Sequence, residues 1–258
     1  MTRGNRTLQG GNVSTEIAEN RTVLITGASS GIGHALCNHY LGKGWNVLGL
    51  SRRRPEDLCS HPRFGHRSLD LADIDSIQVF LPELLNATRH LELVILNAGV
   101  LGRFGDLRDA DIEDLEHTMR VNVWCNTFLF DILHRLGVRY SQVVAISSGA
   151  SVSGNRGWSG YSVSKAALNM LVKLLAAENP DAHFCSIAPG LVDTAMQETL
   201  CTHPEHDRFP TLQVLRSKRG TSEMPSSEEA AIILAGVLSS LPDLCASGDY
   251  IDLRKPPF

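Results

Sequence analysis

Several features are absent from this 258-residue sequence, and each absence excludes a class of protein. It has no run of 18 consecutive apolar residues, so no segment is expected to cross a membrane as a helix. Its 24 basic and 28 acidic residues give a net charge of −4 and no basic footprint for nucleic acid. The six cysteines form no CxxC pair and lie mostly in apolar stretches, as free thiols do. We therefore expect a reducing compartment, the cytoplasm, and no membrane or nucleic-acid partner.

The chain is expected to form one domain with two irregular segments. Residues 1–20 are rich in Thr, Asn, Gly and Gln, lack the apolar stretch of a secretory signal, and are predicted to be a flexible tail. A strand-swapped or ordered arm is the alternative. Residues 21–258 are predicted to be a single domain, in which the long polar stretch 195–224 forms a lid over the substrate. The alternative for that stretch is a plain surface excursion with a short helix.

Short apolar runs alternate with helical patterns from residue 21 onward, which is typical of βαβ units around a parallel sheet. The continuous β-branched run TVLIT, residues 22–26, has the composition of a strand buried on both faces. The predicted strands are 22–26, 46–50, 65–69, 91–96, 142–146, 183–187 and 249–253. The predicted fold is therefore α/β: a doubly wound Rossmann fold whose seven-stranded parallel sheet has helices on both faces.

A glycine-rich segment follows the first predicted strand directly. The sequence TGASSGIG, residues 26–33, lies between that strand and the first predicted helix. Glycine there permits a tight turn, close approach of a pyrophosphate to the backbone, and close packing of the helix, whose N-terminus offers free N–H groups. This placement predicts a dinucleotide site. The residues expected to bind the cofactor are Gly27, Ser29, Ser30, Gly31, Ile32 and Gly33.

The end of the second predicted strand indicates which dinucleotide is bound. An NAD site carries a carboxylate about 20 residues beyond the glycines, where it binds the ribose 2′-hydroxyl. This sequence instead has Ser51 followed by three arginines, of which Arg52 is the first. Ser51 and Arg52 can bind a 2′-phosphate through charge-assisted hydrogen bonds, so NADP, as NADPH, is the predicted cofactor. The alternative is a solvated turn. Asp70, beside Leu71, is expected to accept a hydrogen bond from the adenine amino group.

Tyr161 and Lys165 lie four residues apart in a predicted helix, so their side chains project from one face a turn apart. The pKa of a phenol is about 10, and a nearby ammonium and a cationic nicotinamide ring both favour the phenolate. Such tuning lets a tyrosine exchange a proton with an alcohol near neutral pH. Because this spacing is common by chance, the pair alone assigns no function.

Six motifs together carry a family resemblance. They are TGASSGIG, LNAG at 96–99, VNV around Asn122, AISSGAS with Ser148, YSVSK from Tyr161 to Lys165, and PGLVDT at 189–194. In this order and spacing the sequence resembles the classical short-chain dehydrogenase/reductase family. The resemblance implies that Tyr161 is the general acid/base and that Lys165 lowers its pKa and holds the nicotinamide ribose. It also implies that Ser148 binds the carbonyl oxygen and that Asn122 holds a water in the proton relay.

The same resemblance implies further cofactor contacts on two turns. The turn after the fourth strand, which supports the adenosine side in the family, holds Asn97, Ala98 and Gly99. The residues that resemble the nicotinamide clamp are Pro189, Gly190, Val192 and Thr194, with Thr194 binding the carboxamide.

The second half of the chain resembles the sepiapterin reductase and benzil reductase branch more closely, through SSGAS, KAALNM, APGLVDTAMQ and SGDYIDL. Those relatives reduce compact ketones or dicarbonyls with NADPH, so the resemblance implies a carbonyl reductase acting on a small molecule. The residues expected at the substrate are Trp158, Leu191, Met196 and Asp252. Family members often end in a VDGG-like turn, whereas Leu253 and Arg254 follow Asp252 here.

Two other functions stay open at this point. One is action on a different carbonyl or alcohol class, such as an acyl thioester or a steroid. The other is a non-catalytic protein that senses NADPH. No metal is expected, because the cluster CTHPEH at 201–206 lacks an evident fourth ligand. The segments 119–136 and 162–177 are apolar over more than one stripe, and the resemblance implies that they form a homodimer interface.

Overall fold

The structure is a computed structural model, and it describes residues 21–255. The tail predicted for residues 1–20 lies outside the described residues. Within the described range, seven strands form one parallel sheet in the order β3-β2-β1-β4-β5-β6-β7. The strands are β1 (Thr22–Thr26), β2 (Asn46–Ser51), β3 (Phe64–Ser68), β4 (His90–Leu96), β5 (Arg139–Ile146), β6 (His183–Ala188) and β7 (Asp249–Asp252).

Helices connect these strands on both faces of the sheet. The helices are α1 (Gly31–Gly42), α2 (Ile74–Leu85), α3 (Ile112–Met119), α4 (Cys125–Arg135), α5 (Ala150–Ser153), α6 (Ser159–Glu178), α7 (Ala195–Cys201), α8 (Pro210–Lys218), α9 (Ser227–Leu238) and α10 (Leu241–Leu244). A π-helical turn, Arg120–Trp124, joins α3 to α4. The predicted doubly wound Rossmann fold is confirmed. None of these helices is long and apolar enough to span a membrane.

The β1 strand shows why the sheet is buried on both faces. All five of its residues are buried, and alternate side chains point to opposite faces. Val23 and Ile25 pack in the apolar cluster that contains α1 and α9. Leu24 packs in the cluster that contains α2, α4 and α6 on the other face. Each such fully buried side chain stabilises the fold by about 1.5–3 kcal/mol.

The strand order places the functional end of the sheet. The chain leaves β1 toward β2 and β3 on one side, and β4 lies on the other side of β1. Crevices at the carboxyl ends of the strands, at such a reversal, are where α/β sheets bind ligands. A third apolar cluster lies beyond this edge and joins α7 and α8 to the loop after β4 through Phe104, Leu200, Phe209 and Leu212. The stretch predicted as a lid thus has a small core of its own.

Candidate active site

A cleft of about 1420 Å³ opens at the carboxyl ends of the strands. Its walls come from the N-terminus of α1, from the loops after β4, β5 and β6, and from α7 and α8. Every residue that we expected at the site lines this cleft except Gly33, Asn122 and Asp252. The structure therefore brings together side chains that are separated by more than half of the sequence.

The start of α1 forms an anion-binding cradle. Ser30, at its N-cap, makes no capping hydrogen bond through its side chain, and the first turn has no acidic residue. The first N–H groups of the helix are therefore free of side-chain partners at the end where the helix dipole is positive. Gly27 and Gly31 have φ angles of +74° and +56°, which L side chains rarely adopt. These features fit the pyrophosphate of a dinucleotide.

Gly33 has a packing role rather than a place in the cleft. A Cβ at this position would collide with the carbonyl oxygen of Gly27 and with the Asn97 amide. That amide donates to the carbonyl oxygens of Thr26, at 3.0 Å, and Gly27, at 3.3 Å. The absence of a side chain at Gly33 brings α1 close to the ends of β1 and β4. Its contact with the cofactor stays a prediction.

The end of β2 presents arginines to the cleft. Arg52 and Arg53 line it and are exposed. Arg54 does not line it; its Nε lies 3.5 Å from a Glu56 carboxylate oxygen. The Ser51 hydroxyl donates to the Arg53 carbonyl oxygen at 2.8 Å, so it shapes the turn as well as lining the cleft. Arg53 was not singled out from the sequence, because the motif does not show which arginine of the three faces the cleft.

Tyr161 and Lys165 project from the first turns of α6 into the cleft, as their spacing predicted. Lys165 is buried, and its Nζ donates to the Ile146 carbonyl oxygen at 2.7 Å. Burial lowers the pKa of Lys165 to about 8. Nζ lies 5.8 Å from the centre of the Tyr161 ring. The end of β5 thus holds the ammonium beside the phenol.

The hydroxyl of Tyr161 shares a hydrogen bond with Ser148, which follows β5. Burial raises the pKa of Tyr161 above its ordinary value, and the hydrogen bond with Ser148 opposes that rise. A nearby Lys165 ammonium was expected to lower the pKa of Tyr161, but the pKa is raised. The reason is that desolvation of the phenol is the largest effect in the protein without its cofactor. The neighbouring Ser147 instead donates to the Asn169 side-chain oxygen at 2.6 Å.

Asn122 lies in the π-helical turn, and its side chain does not line the cleft. Its Nδ2 donates to the Val100 carbonyl oxygen and to Ser164 Oγ, both at 2.9 Å, and its Oδ1 accepts from the Val100 N–H at 2.8 Å. The amide is therefore fully used in holding the loop after β4 against α6. Its role in a proton relay stays a prediction.

Asp252 does not line the cleft, whereas Arg254, which was not predicted at the site, does. Its side chain is only 3% exposed, and both carboxylate oxygens accept hydrogen bonds from Arg254, at 2.9 and 2.6 Å. Asp252 thus supports Arg254, and its own contact with the substrate stays a prediction. The available signal was the departure from the VDGG-like ending at this point.

The lid side of the cleft has an apolar lining, and ion pairs connect the lid to the rest of the domain. Trp158, Leu191 and Met196 line it as expected. The Trp158 indole donates to the Thr211 hydroxyl at 3.3 Å, which ties α6 to α8. Behind this contact Asp106 accepts from Arg156, at 2.6 and 2.7 Å, and from Arg208, at 2.7 Å. These arginines hold the pKa of the Asp106 carboxyl well below its usual range.

The CTHPEH segment contributes two described side chains to the packing of the lid. Cys201 is buried in the apolar cluster of the lid, and the His203 ring packs edge-on against Phe104 at 5.4 Å. Among the side chains that the structure describes, no three His, Cys, Asp or Glu residues are close enough to hold an ion.

The fold and the cleft define a nucleotide-binding α/β protein with a Ser, Tyr and Lys set beside the glycine loop. A family model described as short chain dehydrogenase matches residues 21–205. The chain belongs to this family of oxidoreductases.

Named relatives cover nearly the whole chain. A benzil reductase ((S)-benzoin forming) from Saccharomyces cerevisiae is 30% identical over 90% of this chain and 95% of its own length. A benzil reductase ((S)-benzoin forming) from Bacillus subtilis is 28% identical over 84% of this chain and 91% of its own length. Among solved structures, the KRED1-Pglu enzyme superposes with a TM-score of 0.80 at 26% identity, over 90% of this chain and 100% of that one. These likenesses support a classical short-chain dehydrogenase/reductase of a benzil-reductase-like branch.

Proposed function

We propose that this protein is an NADPH-dependent carbonyl reductase whose substrates are compact ketones, with vicinal dicarbonyl compounds such as benzil as the preferred class. The observation that carries the proposal is the convergence of Ser148, Tyr161 and Lys165 on one cleft with the free N-terminus of α1. The two relatives named for benzil reduction supply the substrate class.

The choice of NADPH rests on charge at the end of β2. Arg52 and Arg53 are exposed at the cleft, and the segment 51–54 contains no carboxylate that would repel a 2′-phosphate. A guanidinium binds phosphate through charge-assisted hydrogen bonds, which are about twice as strong as neutral ones. Asp70, also in the cleft, is proposed to bind the adenine amino group beside Leu71.

The rest of the cofactor site is mostly backbone. The N–H groups at the start of α1 would hold the pyrophosphate. Asn97, Ala98 and Gly99 would support the adenosine side. At the other end, Lys165 would hold the nicotinamide ribose, and the turn from Pro189 to Thr194 would hold the carboxamide. When bound, the cofactor supplies the hydride for the carbonyl carbon.

The chain's own residues handle the oxygen of the substrate. Ser148 donates a hydrogen bond to the carbonyl oxygen and so stabilises the negative charge that develops there. Tyr161 gives this oxygen its proton; the raised pKa keeps the phenol protonated at neutral pH until it is needed. Lys165, fixed by the Ile146 carbonyl, holds positive charge beside the phenolate that remains. Trp158, Leu191 and Met196 form the apolar wall against which the substrate body packs.

Oxidation of NADPH with a panel of carbonyl compounds tests the proposal. The panel contains benzil, sepiapterin, an acyl thioester and a ketosteroid. We expect turnover of benzil with the highest kcat/KM, and faster reaction with NADPH than with NADH. Preference for the thioester or the steroid would reassign the substrate class. Tight NADPH binding with no turnover of any carbonyl would favour a sensing protein and contradict the proposal.

We also propose that the protein forms a homodimer in the cytoplasm. On α6, Val163, Met170 and Leu174 are each more than half exposed, and their spacing places them on one stripe of the helix. Trp124, on the turn before α4, is 49% exposed. Exposed apolar surface of this kind is typical of subunit interfaces. All six cysteines are free in the structure, which suits a reducing compartment.

A further inference from the structure

Arg254 is fixed in place by a buried carboxylate. Its Nε donates to Asp252 Oδ1 at 2.9 Å, and its Nη2 donates to Asp252 Oδ2 at 2.6 Å. The backbone N–H of Arg254 also donates to Oδ1, at 3.1 Å. A bidentate pair of this kind fixes the plane of the guanidinium as well as its position. Because Asp252 lies at the end of β7, the arginine is held against the sheet.

Gly149 leaves room for this side chain, which also contacts the loop at Gly190. A Cβ on Gly149 would collide with the guanidinium of Arg254, and a Cβ on Gly190 would lie 3.4 Å from its Cγ. The arginine therefore passes between the loop after β5 and the loop after β6. Gly149 directly follows Ser148, and both Ser148 and Arg254 line the cleft, so the guanidinium enters the site beside the loop that carries the serine. The Tyr250 hydroxyl, which donates to the Ser148 carbonyl oxygen at 3.3 Å, supports the same loop from β7.

The guanidinium keeps donors that the protein does not use. Asp252 occupies Nε and one hydrogen of Nη2, which leaves the end-on pair formed by Nη1 and Nη2. Among the described residues, Nη1 of Arg254 has no hydrogen-bond partner, and the side chain is 50% exposed and lines the cleft. A rigid, unused donor pair in a binding cleft is suited to recognise an oxygen of the ligand.

We propose that Arg254 is a specificity-determining residue that binds the second carbonyl oxygen of a vicinal dicarbonyl substrate while Ser148 and Tyr161 bind the first. This inference rests on the function proposed above and extends it. Asp252 cancels the charge of Arg254, so the pair offers oriented N–H groups at a neutral site. That arrangement suits an uncharged carbonyl oxygen better than the carboxylate of a 2-oxo acid.

Paired substrates give the sharpest test. Benzil and deoxybenzoin differ in that a methylene replaces one carbonyl of benzil, so the ratio of their kcat/KM values measures recognition of the second oxygen. We expect Arg254→Ala to lower kcat/KM for benzil about tenfold, the scale of one hydrogen bond to a charged group, and to leave deoxybenzoin within about twofold. Lys255→Ala, which removes an exposed neighbouring cation outside the cleft, is the matched control and should change neither. Equal losses for both substrates, or no loss for benzil, would overturn the proposal.

A second variant guards against a folding defect, because Arg254→Ala leaves a buried carboxylate without its partner. The double variant Asp252→Asn/Arg254→Leu removes both charges together. It should retain the thermal midpoint of the wild type within a few degrees and still lose the preference for benzil. Retention of that preference by the double variant would contradict the role of Arg254.

Binding measurements separate this inference from the proposed function. The dissociation constants of benzil and deoxybenzoin are measured on the complex with NADP⁺, in which no reduction occurs. We expect Arg254→Ala to weaken benzil binding and not deoxybenzoin binding. If Arg254→Ala weakens the binding of benzil only, but the wild type turns over no ketone, the assignment of Arg254 stands and the proposed function fails. If benzil binds the variant as tightly as the wild type, the assignment fails whatever the turnover.

Discussion

The nucleotide half of the cleft, from β1 to β3, and the substrate half, from β5 to β7 with the lid, differ in how their candidate binding groups are placed. In the nucleotide half the proposed binding groups are mainly backbone N–H groups at the start of α1, placed by consecutive residues of one short segment. In the substrate half they are the side chains of Ser148, Tyr161 and Arg254, which three separate segments bring together. The proposed cofactor site is thus a local property of the chain, whereas the proposed substrate site depends on the whole fold.

Charge is also handled differently in the two halves. Arg52 and Arg53 are exposed, and water solvates them until an anion arrives. Lys165 is buried against a backbone carbonyl, and Arg254 is paired with a buried carboxylate. The exposed arginines of the first half can therefore attract an anion from solution. The second half holds its charges at fixed places: Lys165 is kept away from water, where electrostatic effects on a reaction are stronger, and Arg254 is fixed by its buried partner.

The largest expected effect is a loss of turnover that leaves cofactor binding intact. Tyr161→Phe removes the phenol proton of the substrate half and leaves the nucleotide half unchanged. We expect kcat for an active ketone to fall by about 10²- to 10⁴-fold, the usual contribution of a general acid, with NADPH affinity within about twofold. Steady-state kinetics and fluorescence titration of NADPH measure the two quantities. A variant that keeps near-normal turnover would show that Tyr161 is not the proton donor.

The buried charge of Lys165 predicts a pH dependence of stability in the cofactor-free protein. Burial lowers the pKa of Lys165 from 10.5 to about 8, so between these values the unfolded chain binds more protons than the folded one. The contribution of Lys165 to the free energy of unfolding is therefore unfavourable below pH 8 and recovers as the pH rises to 10.5. Relative to Lys165→Met, the wild type should gain about 3 kcal/mol over this range.

Urea denaturation of both proteins at several pH values measures this difference. Lys173→Met is the matched control, because Lys173 is an exposed lysine on the same helix. Its difference from the wild type should stay constant with pH. A constant difference for Lys165→Met as well would mean that Lys165 does not titrate as a desolvated ammonium.

The smallest of these effects lies in the nucleotide half. Arg52→Ala should weaken NADPH binding about tenfold, the scale of a hydrogen bond between charged groups, and leave NADH binding unchanged. Arg54→Ala is the control, because Arg54 faces Glu56 outside the cleft. The dissociation constants come from fluorescence titration. An equal loss of affinity for NADPH and NADH would show that Arg52 does not bind the 2′-phosphate. A greater loss of NADPH affinity in the Arg54 variant would assign that contact to Arg54.

The sequence predicted the local structure of the nucleotide half well, since its signals are local. The β1 strand has the predicted bounds, Thr22–Thr26, and the glycine segment occupies the turn into α1. In the segment 119–136 the pattern did not reveal the π-helical turn at Arg120–Trp124, because apolar spacing is similar on either side of it. The bounds of the lid helices α7 and α8 were not predicted either, since a polar stretch with prolines resembles a loop.

Pairing across the substrate half could not be predicted in the same way. Asp252 and Arg254 are two residues apart, but only the fold shows that one is buried and the other faces the cleft. The contacts of Asn122 are likewise visible only in the fold. Its side-chain amide forms hydrogen bonds with the backbone of Val100, which lies 22 positions earlier in the chain. Such contacts depend on which strands become neighbours, and that information is not local to either residue.

A single-turnover reaction with deuterium-labelled NADPH tests the central claim most directly. The enzyme is mixed with benzil and with NADPH that carries deuterium at the transferable position, and the product is analysed by mass spectrometry. The account predicts one deuterium on the carbinol carbon of benzoin for each NADPH consumed by the wild type, and almost none with Tyr161→Phe in the same time. Binding of NADPH and benzil without labelled benzoin from the wild type would contradict it.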